Sequence, residues 1–142
     1  MHFVYPTRFR PDRTGEIVVS FRDLPECLTS GADEAEALTE AVDALEETIA
    51  GRIKRSDDIP APSARRSGER RVAVPAGMAA KAALALAFRE SGLTGDEFAA
   101  LAGTDERSIG RMLDPKHRTP PGHIERTLRV LGQQLVVEVE SA

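Results

Sequence analysis

The chain of 142 residues has no tryptophan, one tyrosine and a single cysteine. Cys27 alone excludes an internal disulfide and any zinc site built from several cysteines. Spanning a bilayer takes roughly 20 consecutive apolar residues, and no run here approaches that length. The opening MHFVYPTRFR reaches its arginines before any continuous apolar stretch, so no secretory leader is expected. These absences point to a reduced, cytoplasmic setting without membrane contact. Catalytic groups are equally scarce. His2, His117 and His123 have no ligand spacing on a common element, and VPAG lacks the glycine spacing of a phosphate loop. Ser20 has no evident base partner. Neither an enzyme nor a metal or cofactor is expected. Cys27 reads as a small, half-buried strand residue with nothing nearby to activate it.

What is present is a globular composition, 41% hydrophobic and 30% charged, with a net charge of −4. The charge is divided unevenly. Residues 1–64 hold seven Lys or Arg against thirteen Asp or Glu, and residues 65–142 hold twelve against ten. An acidic first half and a mildly basic second half suggest two modules with different partners.

In the first half, Phe3, Tyr5 and Phe9 alternate with polar neighbours, as in a half-buried strand. PDRTG supplies a turn, EIVVSFR a second strand, DLP a break and ECLTS a third strand. Asp33 with Glu36 then opens a helix to about Arg55, with Leu38, Val42, Leu45, Ile49 and Ile53 as its inward stripe. Glu36, Glu40, Asp43 and Glu47 share another face of that helix. Residues 56–71 have the proline, serine and charge content of a linker, and RVAVP reads either as a fourth strand or as a joining arm. The expected domains are 1–64, an α/β module, and 78–142, a helical one, with 65–77 as linker.

The richest segment is TGDEFAALAGTDERSIGRML, residues 94–113. Ala99, Gly103, Ile109 and Met112 fall where a helix-turn-helix needs a small contact residue, a turn glycine and two core residues. Thr94 and Glu97 form a T-x-x-E capping box, and Thr104 or Asp105 can cap the second helix. An ordinary helical hairpin in a core would share part of this pattern. As a DNA reader, the second helix would present Thr104, Asp105, Glu106, Arg107, Ser108 and Arg111, with Lys116 and Arg118 in the following loop on phosphates. Arg suits bidentate readout of guanine, whereas Asp105 and Glu106 oppose phosphate contact. HIERTLRVL then makes a last helix with Ile124, Leu128 and Leu131 inward, and LVVEVE alternates like a strand. Those two segments are the expected dimer interface, since one helix-turn-helix covers only a half-site.

Taken together, the chain resembles the HicB family of bacterial antitoxins. The resemblance is carried by YPTRFRPD at 5–12, GEIVVSFRDLPECLTSGAD at 15–33, EALTEAVDALEETIAGRI at 36–53 and VPAGMAAKAALALAFRESGLTGDEFAALAGTDERSIGRMLDPKHRT at 74–119. The last of these looks like the helix-turn-helix variant of the family. The resemblance implies an α+β fold: a three- to four-stranded antiparallel sheet with one covering helix, like a degenerate ribonuclease-H module, followed by an all-α DNA-binding domain with a short terminal strand. It implies an antitoxin that binds a HicA-type, mRNA-cleaving toxin and represses its own operon, acting on operator DNA as a homodimer or higher oligomer. On this reading the acidic face of Glu36, Glu40, Asp43 and Glu47, with Asp23 and Glu26 at the strand ends, is the expected toxin contact. Two alternatives stand beside it. One is a stand-alone DNA-binding regulator whose first module senses a ligand or dimerises; the other is a ribonuclease-H-like hydrolase. The second is chemically poor, because HFVYPTRFR holds none of the acids such a metal site needs.

Overall fold

The computed structural model describes residues 1–142 and divides into two compact units. The first comprises Met1–Gly51 and Pro60–Pro75; the second comprises Arg52–Ile59 and Ala76–Ser141. Together they give the expected α+β fold class.

The first unit is an antiparallel sheet of β1 (Val4–Pro11), β2 (Ile17–Ser20), β3 (Leu28–Gly31) and β4 (Arg70–Ala73), in the order β3-β2-β1-β4. Phe9 lies opposite Val19, Val19 opposite Thr29, and Tyr5 opposite Val72. Strand pleating puts these on one face, and Tyr5, Thr7, Val19 and Val72 are all buried. The turn between β1 and β2 is tied by the Asp12 carboxylate, whose Oδ1 accepts from Thr14 N at 2.8 Å and Glu16 N at 3.1 Å. Bonds from Thr14 hold the Asp12 carboxyl below its usual pKa.

Helix α1 (Glu34–Arg55) starts where the Asp33 carboxylate accepts from Glu36 N at 2.8 Å and the Glu36 carboxylate accepts from Ala32 N at 2.7 Å. Its buried stripe is Ala37, Ala41, Leu45, Ile49 and Ile53. This corrects the expected stripe at its N-terminal end, where Leu38 and Val42 are only half-buried. The reason is steric. The helix lies so close to the sheet that a Cβ on Gly31 would strike the backbone of Ala37, and only small residues fit at that end. Cys27 also differs from expectation: it is fully buried just ahead of β3, and burial raises the pKa of its thiol.

The stretch expected to be a linker, 65–77, contains the fourth strand. β4 pairs with β1 from Thr7 opposite Arg70 to Val4 opposite Ala73, and Val74 N donates to Phe3 O at 2.9 Å. The approach to β4 is pinned by polar groups. Arg22 forks onto Glu69, Nε to Oε2 at 2.9 Å and Nη2 to Oε1 at 3.0 Å. Glu69 Oε1 also accepts from Arg66 N at 2.7 Å, and the Asp23 carboxylate accepts from Ser63 N at 2.8 Å and Ser63 Oγ at 2.6 Å. Tyr5 donates its hydroxyl to Pro60 O at 2.8 Å. The Arg22 bond, reinforced by the Arg66 amide, lowers the Glu69 carboxyl to a pKa of about 2. A composition typical of linkers therefore marks a segment fixed by its polar groups together with the buried Val72 and Val74.

The second unit packs α2 (Ala76–Ser91), α3 (Gly95–Leu101), α4 (Glu106–Leu113) and α5 (Pro121–Val130) around Ala80, Leu84, Phe98, Ala99, Ile109, Met112, Ile124 and Leu128. Phe88 stacks on Phe98 with ring centroids 5.0 Å apart. Ile124 and Leu128 belong to this core and Leu131 packs against it, so the inward side of α5 is already used within the unit. The expected terminal strand is absent: residues 133–142 adopt no regular secondary structure. Val136, Val137 and Val139 are 74%, 85% and 92% exposed. Alternation suits a strand, but alternation alone does not make one: a strand also needs a partner, and this segment joins no ladder. No helix is long and apolar enough to cross a membrane.

Candidate nucleic-acid interface and acidic helix face

Between residues 94 and 113 two short helices meet across a tight turn, built by the local chemistry of the sequence. Thr94 Oγ1 accepts from Glu97 N at 3.1 Å, and Glu97 Oε1 accepts from Thr94 N at 3.0 Å, which completes the capping box of α3. The α3–α4 turn runs through Gly103 at φ +70°, a left-handed conformation that side chains disfavour. Thr104 N then donates back to Ala99 O at 2.9 Å. Of the two candidate caps for α4, Asp105 takes the role: its Oδ1 accepts from Ser108 N at 2.7 Å. That bond holds its carboxyl below the usual carboxylate range.

The fate of the acids is decided here. Asp105 is engaged by the helix end. Glu106 turns toward α3, where hydrogen bonding and repulsion from Asp96 push its carboxyl pKa up. A Cβ on Gly95 would approach Glu106 Oε1 to 2.9 Å, so the first residue of α3 leaves room for this side chain. Ile109 and Met112 anchor α4 in the core, and Ser108 is half-buried. Thr104, Arg107, Gly110 and Arg111 are exposed. Arg107 and Arg111 lie one turn apart, so both guanidinium groups leave the helix on the same side. The loop after α4 bends where Asp114 Oδ1 accepts from Lys116 N at 2.9 Å and Asp114 O accepts from His117 N at 3.1 Å. Lys116 and Arg118 are exposed there.

One residue of this site escaped the sequence reading. Lys81 of α2 is 4% exposed, and its Nζ donates to Met112 O at 2.8 Å, Thr119 Oγ1 at 3.0 Å and Arg111 O at 3.3 Å. A buried ammonium needs such partners, and here they are the C-terminal carbonyls of α4 and the loop behind it. Cations favour a helix C-terminus, and this one also joins α4 to α2. Burial lowers the pKa of the Lys81 ammonium, and Asp114 opposes the shift. The signal in the sequence was faint: a lone lysine inside the alanine- and leucine-rich run AAKAALALAF.

In the first unit the six acids of the expected protein contact have different fates. Asp23 is held by Ser63 and Arg22, with its side chain 10% exposed, and Glu36 is engaged at the start of α1. Asp43 and Glu47 are exposed and Glu40 is half-buried, all on the same side of α1. Glu26 is exposed beside the buried Cys27. No group of three His, Cys, Asp or Glu side chains is arranged to hold a metal ion.

Comparison with known proteins assigns this arrangement to a context. Residues 4–83 match a family model described as a HicB-like antitoxin of a bacterial toxin–antitoxin system. The chain is 34% identical to Antitoxin HicB of Escherichia coli K12, covering 92% of this chain and 95% of that one. It is 37% identical to Antitoxin HicB 2 of Photorhabdus laumondii, covering 92% of each. To Antitoxin HicB 1 of the same bacterium it is 33% identical, covering 96% of this chain and 86% of the other.

Proposed function

The chain belongs to the HicB-like antitoxin family, and from that premise we propose that it neutralises a HicA-type, mRNA-cleaving toxin and represses its own operon. The first unit is the toxin-binding part. The second binds operator DNA, with α3 and α4 as its helix-turn-helix. Supporting the DNA reading is the outer side of α4: Arg107 and Arg111 exposed together, Ile109 and Met112 anchoring the helix, and both neighbouring acids turned to other tasks. Arginines so placed can reach base edges in a major groove, and Lys116 with Arg118 can reach phosphates.

The protein acts as a homodimer or higher oligomer in the cytoplasm. One such motif reads a half-site, and the modest positive charge of the second half gives a monomer little hold on DNA. The C-terminal segment with its exposed, alternating valines is the pairing element, since it joins no strand ladder within the chain and the same segment of a second copy matches its alternation. On the first unit, Glu40, Asp43 and Glu47 face the toxin, where an acidic surface suits a protein that binds RNA.

Gel-shift titration with the duplex immediately upstream of the coding sequence tests the DNA reading. Arg107→Ala and Arg111→Ala should each cost about 1–3 kcal/mol of binding and leave toxin binding intact. Lys116→Ala and Arg118→Ala should weaken all duplexes alike and flatten the salt dependence. Wild-type affinity in all four variants would remove α4 as the DNA surface.

A further inference from the structure

Gly110 is exposed on α4, three residues after Arg107 and one before Arg111. Its backbone is ordinary right-handed helix, and a Cβ built there meets nothing within 4 Å. Of the other glycines of the second unit, Gly92, Gly103 and Gly132 take left-handed turns and Gly95 makes room for Glu106, while Gly77 and Gly122 stand in the first turns of α2 and α5, outside the helix interior where glycine costs most. Gly110 has none of these reasons. Among helix formers only proline is worse than glycine, and α4 is just eight residues long. The fold is therefore weakened at the one helix whose outer surface carries the proposed DNA contacts.

We infer that Gly110 is the point of closest approach between α4 and the base pairs, an inference that rests on the DNA reading above. A position without a side chain lets the helix backbone settle against the groove, as glycines do wherever backbone and ligand come close. Arg107 and Arg111 flank this bare position, so the same approach carries both guanidinium groups to the base edges. A methyl group at 110 would project from the exposed side, hold the helix off, and lengthen arginine hydrogen bonds whose strength falls steeply with distance and angle. Gly110 is thus a positioning residue for operator specificity. It acts by what it omits.

The test sets Gly110→Ala against wild type and against Gly122→Ala, a change on α5 where a Cβ would meet only the Arg126 side chain, at 3.6 Å. Each full-length protein is melted and titrated with the upstream duplex and with an unrelated duplex. Gly110→Ala should melt a few degrees higher, because alanine is the better helix former. It should bind the upstream duplex about tenfold more weakly or worse, as expected when one methyl is forced into a close contact. Its affinity for the unrelated duplex should not change, and Gly122→Ala should bind as wild type does. Stability and specific affinity then move in opposite directions, which a folding defect cannot produce. Wild-type affinity in Gly110→Ala overturns the inference, and so does a loss of affinity accompanied by a lower melting point or an altered oligomeric mass. A wild-type protein that fails to bind the upstream duplex removes the DNA reading itself, and is recognised from its own titration curve.

Discussion

Replacing Lys81 with methionine should loosen α4 without emptying the core, because methionine keeps the aliphatic stem and removes only the ammonium. Three acceptors then lose one donor each, Met112 O at 2.8 Å, Thr119 Oγ1 at 3.0 Å and Arg111 O at 3.3 Å, although Arg111 O keeps the Asp114 N–H at 3.2 Å. An acceptor left buried and unsatisfied costs about 1–3 kcal/mol. The three do not suffer equally. Thr119 Oγ1 retains His117 Nδ1 at 3.2 Å, and the bond to Arg111 O is the longest, so the Met112 carbonyl carries most of the loss. Removing a buried charge returns part of its desolvation cost. The net is about 2 kcal/mol of destabilisation, placed at the C-terminal end of α4. For a domain of 60–100 residues each kcal/mol moves the melting temperature by about 4–8 °C, so a fall of roughly 8–16 °C is expected. Thermal unfolding reads the first effect. Duplex titration well below the melting point reads the second, which should be about tenfold weaker binding, since Arg111 and the Lys116–Arg118 loop both rest on this anchor. A Lys81→Met protein that melts within about 2 °C of wild type and binds the upstream duplex equally well would refute the anchoring role.

Three further outcomes follow from the first unit. The folded pKa of Glu69, about 2, lies below its ordinary 4.5. The stability it contributes is therefore fully present above pH 4.5 and is lost as pH falls through 2; denaturation midpoints across that window should drop in wild type and stay flatter in Glu69→Gln. Gly31→Ala should destabilise by about 1–3 kcal/mol or prevent folding, because the added methyl strikes helix backbone rather than a movable side chain; a midpoint equal to wild type in urea would contradict that. Changing Glu40, Asp43 and Glu47 together to lysine should slow toxin association more than it speeds release, with the defect shrinking at high salt; an unchanged association rate would discard the acidic-face contact while leaving antitoxin activity in place.

The first three strands, α1, α3, α4 and α5 were legible because each is written locally. Thr94 with Glu97, Asp33 with Glu36, and Gly103 satisfy backbone groups a few residues away, and their spacing is visible in one dimension. What was not legible depends on distant partners. The segment at 65–77 stayed open between a linker and a fourth strand because Glu69 reads as a surface acid until Arg22, far off in sequence, folds onto it. The register of the α1 stripe depended on how near Gly31 lets the helix come. LVVEVE has a strand's alternation, yet pairing is a property of two segments, and this one joins no ladder. Among the candidate site residues, the outward positions of Arg107 and Arg111 followed from helical period. The capping tasks of Asp105 and Glu36 followed from local spacing as well, but the turning of Glu106 toward Asp96 and of Asp23 toward Ser63 did not, because surface acids read alike until their partners are seen. Lys81 was hidden for the opposite reason, since a lone lysine in an apolar run gives no hint of three acceptors around it.

The most direct test of the central proposal is cleavage of messenger RNA by the HicA-type toxin proposed as this chain's partner, measured as purified full-length chain is added. The account predicts that cleavage falls to background at a stoichiometric ratio, and that an Arg107→Ala, Arg111→Ala double variant inhibits equally well. Undiminished cleavage in the presence of excess folded wild-type chain would contradict it.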